Sequence, residues 1–369
     1  MPMTANQAAK LGTNPFPTSV LRQLMASGGD VSVLRVYRQD KNGKFDEDGA
    51  SLMPCINEDG SAGAMTVNAP STLGFQEWLS IEKNVTEAAR LRSNFVNALI
   101  AAGCVYEVGT GMASSVLLSQ KVGLLGPANI GMSGLEKDHD EAILRDTDTL
   151  PLPFIHKGIS ITLRDLLASR QGMYPIDMGG ARQAGMSVGE TIEQLSLGTG
   201  ANFTFGGTPI YGIANHPGSL KVHLAKDWAD TGTEGNDVLN DVIAFFTRLN
   251  ENRRFGPFIM VVGTTYWQAL ARRFSTYDAR AIRTVLLENP DLKDIVVSDF
   301  VTAGYVGVVQ ATPDSIRIVS ALAPQVLQWE ENGGLEICLK AMAIQVPQIR
   351  ADYYGRVGVL LASTAISSN

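Results

Sequence analysis

The sequence has little cysteine. Cys55, Cys104 and Cys338 stand singly in 369 residues. That spacing excludes a disulfide framework and a thiolate metal site, and it suits a reducing cytoplasm. In that compartment Asn84-Val85-Thr86 and Asn202-Phe203-Thr204 are chance sequons. No run of about 18 apolar residues occurs, so no membrane-spanning helix is expected. The start, Met1-Pro2-Met3-Thr4, lacks a basic segment followed by an apolar one, so no secretory signal is expected. Histidine is scarce as well. His139, His156, His216 and His223 are never three or four residues apart, the usual spacing of a helical metal-ligand pair. A basic block is missing: 30 Lys and Arg face 37 Asp and Glu, a net charge of −7. A dedicated nucleic-acid binder would cluster positive charge. A wall enclosing DNA has the opposite need, because a mildly acidic surface does not adhere to the duplex. No internal repeat is visible.

Apolar residues make up 45% of the chain and charged residues 18%, so burial can offset the ordering cost and the chain is expected to be globular. The 37 glycines are spread along it, which implies many chain reversals rather than one helical bundle.

Residues 1–71 read as an arm. Apolar content is thin and turn chemistry heavy, as in Asn14-Pro15-Phe16-Pro17 and Asp46-Glu47-Asp48-Gly49. A short helix at Thr18–Ala26 and a strand at Val31–Tyr37 are expected there. Such a segment cannot build its own core. Over 72–103, Ile81, Val85, Ala88, Phe95, Leu99 and Ala102 recur at helical steps, and Gly103 sits at the C-terminal stop. The period then changes. Val105–Val108, Val116–Ser119 and Leu150–Ile161 read as strands, and the whole span 104–162 reads as a projecting β-arm. Helices are expected at Leu163–Arg170, Ile176–Leu197, Asp237–Asn250, Tyr266–Phe274 and Ala279–Glu288. Thr204–Ile213 reads as turn and strand, and Phe258–Val262 as a buried strand. The last eighty residues read mostly as strands: Ile295–Val297, Val306–Gln310, Ser315–Val319, Glu336–Gln345 and Arg356–Leu361.

Four patterns imitate chemistry. Gly185-Met186-Ser187-Val188-Gly189 matches a nucleophile elbow, but a helical stretch precedes it where a strand is required. Val105–Ser114 imitates a strand with a dinucleotide loop, yet Ser114 stands where the third glycine belongs and a strand follows instead of a helix. Asp40–Asp48 imitates a calcium loop with Lys44 at a ligand position. His156 lies in an apolar strand and reads as structural. No pair of carboxylates stands in an apolar setting that would split two pKa values. The expected catalytic, cofactor-binding and metal-binding residues are therefore none, no cofactor is expected, and the chain is not read as an enzyme.

The order of elements from residue 150 onward resembles a known fold. Leu150–Lys157 leads into a strand, then Leu163–Arg170, a long helix, and Phe203–Asn215. Phe255–Val262, Asp299–Val309 and Ala343–Gly355 follow in step. Over about 72–365 this order resembles the Hong Kong 97-type fold, in its encapsulin-like branch, shared by major capsid proteins of tailed bacteriophages and by encapsulin shells. The resemblance implies an α+β capsid fold with these parts: an N-terminal arm at 1–71, a helix at 72–103 leading into an extended E-loop at 104–162, a peripheral domain at 163–254 with its spine helix at 176–198, an axial domain at 255–340, and C-terminal strands at 341–369 returning to the peripheral domain. It implies a structural protein that self-assembles as pentamers and hexamers into an icosahedral head around double-stranded DNA, bound without sequence specificity. The implied partners are further copies of the chain, with scaffold, portal and decoration proteins. The implied location is the virion, after assembly in the host cytoplasm, with no membrane. The alternative is an encapsulin-like compartment around a cargo enzyme; a hydrolase using Ser187 is the competing reading from another class. A covalent cross-link through Lys137 or Lys157 is not predicted.

Overall fold

A computed structural model describes residues 51–56, 62–67, 75–109, 111–122, 132, 145–170, 178–200 and 202–366. The expected helix at 18–26, the strand at 31–37 and the loop at 40–48 lie outside them. The chain divides into two units.

The smaller unit comprises 1–84, 158–182 and 326–340. Its first described element is an antiparallel hairpin, β1 (Ser51–Ile56) and β2 (Ala62–Val67). No strand is expected there from the sequence, because Pro54 and the turn residues around it mask the alternation. The unit also holds the start of helix α1 (Phe75–Leu91), the end of a strand at Ile155–Thr162, helix α3 (Leu163–Arg170) and the tip of a long hairpin around Asn332–Gly334. Thr162 starts α3: its hydroxyl donates to Asp165 Oδ2 at 2.7 Å, while its oxygen accepts the Asp165 N–H at 3.3 Å. The Leu163 N–H donates to the Leu335 carbonyl at 2.8 Å, which ties α3 to the hairpin tip.

The larger unit comprises 85–157, 183–325 and 341–369. Its centre is a five-stranded sheet in the order β11-β10-β12-β15-β9: β9 (Leu220–His223), β10 (Phe258–Val262), β11 (Leu292–Val297), β12 (Tyr305–Gln310) and β15 (Val359–Ser363). β10 is buried throughout, as its continuous apolar run requires. Helix α5 (Gly235–Glu251) covers one face. Val238, Val242, Phe245, Phe246 and Leu249 point into the core with Trp228, Phe258, Met260 and Leu360. Asp237 Oδ2 accepts the Glu234 N–H at 3.2 Å and sets the helix start.

The apolar period over 72–103 holds, but the helix is broken. α1 ends at Leu91 and α2 (Asn94–Ala101) begins after Ser93, whose hydroxyl turns back to the Ala89 carbonyl at 2.6 Å. Two later helices are shorter than their patterns: α6 (Thr264–Ala269) and α7 (Ile282–Leu287). Between them the chain closes on itself, with the Phe274 N–H on the Arg280 carbonyl at 2.8 Å. β9 is not legible from the sequence, being four residues long.

A second sheet has the order β3-β13-β14-β6, with β3 (Val105–Glu107), β6 (Ile155–Thr162), β13 (Ile316–Glu331) and β14 (Glu336–Ile349). β13 runs twelve residues past the expected end at Val319, through Pro324. Within 104–162 a separate antiparallel ribbon forms from β4 (Val116–Val122) and β5 (Arg145–Pro151).

Candidate assembly surfaces and a buried joint

The ribbon has two unlike faces. On one, Lys121 pairs with Asp148 across the ribbon at 3.2 Å, and Ser119 accepts a hydrogen bond from Gln348 Nε2 of β14 at 3.1 Å, which ties that face to its own unit. On the other, Leu118 is 67% exposed. Its direct partner across the ribbon is Thr149, whose hydroxyl meets that of Thr208 at 3.2 Å. Thr208 belongs to a small hairpin, β7 (Thr204–Phe205) and β8 (Thr208–Pro209), turned by Gly206 and Gly207 at positive φ. Its cross-strand partner is Phe205, 53% exposed, with Phe203 and Tyr211 also exposed nearby in the chain. Leu118, Thr149, Thr208 and Phe205 thus form a continuous row with apolar ends in solvent.

Helix α4 (Met178–Leu197) packs on α1 through two glycines. A Cβ at Gly185 would stand 2.4 Å from the Val85 carbonyl oxygen, and one at Gly189 would stand 2.2 Å from that of Ala89. The residues that imitate an elbow are therefore a close helix contact. Ser187 lies mid-helix, with its carbonyl accepting the Thr191 hydroxyl at 2.9 Å. No strained strand-to-helix turn presents its Oγ, and the hydrolase reading loses its geometric basis.

One turn further on, α4 supplies a buried carboxylate that the sequence reading passed over. Glu193 has no solvent exposure. Its Oε1 accepts the Phe95 N–H at 2.9 Å and its Oε2 the Val96 N–H at 3.2 Å, which caps the start of α2. Ser298 adds a side-chain hydrogen bond, and burial still pushes the carboxyl above its usual range. Around it, Arg92 pairs with Glu190 at 3.1 Å and Asp299 at 3.3 Å, and Asn94 Nδ2 donates to the Val297 carbonyl at 3.0 Å. No local signal marks it, because Glu193 stands in a mixed stretch, Ile192-Glu193-Gln194-Leu195-Ser196-Leu197, where a surface carboxylate is the ordinary reading.

The remaining singled-out residues do not converge. The dinucleotide-like stretch is β3, a short 3-10 turn at Gly111–Ala113, and β4, with no helix behind it. His156 is exposed on β6, the His223 ring bonds the Ile366 carbonyl at 2.7 Å, and His216 is held below its usual pKa by burial. Among the described residues no three His, Cys, Asp or Glu side chains are grouped to hold a metal, and no helix is long and apolar enough to cross a membrane.

Residues 68–362 match the family described as a family of unknown function, DUF6260. The chain belongs to this family. No curated protein is similar to it in sequence. Solved structures place the fold of this DUF6260 chain. The virus-like particle from Pyrococcus furiosus is 14% identical, covering 78% of this chain and 99% of its own, with a TM-score of 0.57. The capsid of Myoviridae phage XM1 is 10% identical, covering 71% and 90%, at 0.52. A structure from Mycobacterium phage Bobi is 11% identical, covering 73% and 90%, at 0.53. The DUF6260 chain has the Hong Kong 97-type capsid fold, and the resemblance read from residues 72–365 holds at that level.

Proposed function

We propose that this chain is a non-catalytic structural protein whose copies build a closed shell. The observation that carries the reading is the β4–β5 ribbon. A two-stranded ribbon is marginal alone in water. This one presents Leu118 outward, continuous with Phe205. A neighbouring copy that covers this row removes apolar surface from water and completes the ribbon. The parts implied by the resemblance then take their roles. The arm at 1–71 and the E-loop at 104–162 adapt to varying curvature, the spine helix stiffens the wall, and the axial domain at 255–340 approaches the symmetry axes. Enclosed double-stranded DNA in a phage head, with scaffold, portal and decoration proteins, is the specific form we favour. The capsid of phage XM1 and the net charge of −7 support it.

The test is assembly. Purified chain should form particles visible by negative stain, and their formation should rise steeply with concentration. The double variant L118D/F205D should stay unassembled while keeping the melting transition of the unassembled wild type. A wild-type chain that remained a folded monomer at high concentration would overturn the reading. Native particles holding an enzyme and no nucleic acid would replace the phage head with a cargo compartment.

A further inference from the structure

The five-stranded sheet buries one face under α5; a hollow lies over the other. Val261, Gly307, Leu361 and Lys221 are direct neighbours across β10, β12, β15 and β9, so they share one row on that second face. This row is the floor of a cavity of about 480 Å³. The C-terminal end of α4 and Ile213 form its cover. Gly307 matters here: a Cβ would come within 3.3 Å of Ile213 Cγ2, so the missing side chain is what lets the cover descend on one side while space remains beside it.

The lining is mostly apolar; its polar side chains are Thr199, Lys221, Thr302 and Tyr305. Thr199 Oγ1 is shut off from solvent and has no hydrogen-bond partner. Lys221 lines the same cavity from the exposed edge strand, and no carboxylate of the described residues forms an ion pair with it. The volume falls within the usual range for small-ligand sites, about 300–1,000 Å³.

We infer that this cavity binds an amphipathic carboxylate, such as a medium-chain aliphatic acid. Its alkyl body lies along Leu361 and Ile366, and its carboxylate meets Lys221 at the mouth. The cavity belongs to one subunit, so this inference stands apart from the shell reading.

Decanoate is the probe, titrated calorimetrically into the full chain, both unassembled and as particles. Saturable one-to-one binding is expected, with 1-decanol binding about tenfold more weakly for want of the charge-assisted contact. K221M should weaken decanoate by about the same factor and leave 1-decanol unchanged. T302W, at the exposed rim, should abolish both without shifting the melting transition. Failure of decanoate to bind the wild type, or undiminished binding by a folded K221M, would overturn the inference. Binding to unassembled chain that vanishes in particles would give the cavity to a neighbouring subunit, and would overturn it too.

Discussion

Glu193 on α4 accepts the backbone N–H of Phe95 at 2.9 Å in a position closed to solvent, and so one long helix supplies the N-terminal cap of another. The acceptor reaches across 98 residues of sequence, which makes the α1–α2 break dependent on tertiary structure.

Replacing Glu193 with Ala strands the N–H groups of Phe95 and Val96. Each unsatisfied buried donor costs about 1–3 kcal/mol, so E193A should lose roughly 2–6 kcal/mol. E193Q, which keeps an acceptor, should lose clearly less. Denaturant unfolding of the unassembled chain measures both. Equal losses would mean that side-chain volume, not the hydrogen bonds, sets the effect.

The same carboxyl sets a pH dependence. Its folded pKa is raised by burial, so the folded chain keeps the proton in a window where the unfolded chain has released it. Stability relative to E193Q should therefore fall as pH rises from the ordinary carboxylate value to the raised one, and stay level above it. Paired unfolding curves at several pH values check this; a wild-type advantage over E193Q that shrank on acidification through that window would contradict it.

The glycines of α4 differ in their surroundings. G185A and G189A force a Cβ onto backbone oxygen, and overpacking of this kind costs about 1–3 kcal/mol or more. At Gly180 nothing lies within 4 Å of the added Cβ, so G180A should gain about 0.5–1 kcal/mol from helix propensity. Thermal melts of the three variants should fall on opposite sides of the wild type.

Ser187 is a helix residue, and S187A should leave stability within about 0.5 kcal/mol and assembly unchanged. Loss of an esterase activity in S187A, measured against the wild type, would reopen the enzyme reading.

Much of this was legible in the sequence because it is local. The apolar steps of α5 and the unbroken apolar run of β10 read directly as a one-sided helix and a buried strand. The order of elements from Leu150 onward pointed to the fold, since order survives when individual motifs do not. The Gly185–Gly189 motif was readable as helical, although not for its purpose. A glycine pair gives the same signal whether it opens a turn or admits a neighbouring backbone.

The rest depended on pairing at a distance. β9 is four residues long, and it is a strand only because β15 supplies its hydrogen bonds. β13 passes Pro324 because the sheet around it holds the chain extended. Glu193 looks like a surface residue until α2 presents two amides to it. The row from Val261 to Lys221 joins four segments spread over 140 residues. Period and composition determine the strongly patterned elements, such as α5 and β10, since those follow from each residue and its near neighbours. Which carboxylate is buried, which glycine is crowded and which apolar face stays open are set by contacts between distant segments, and no local pattern encodes them.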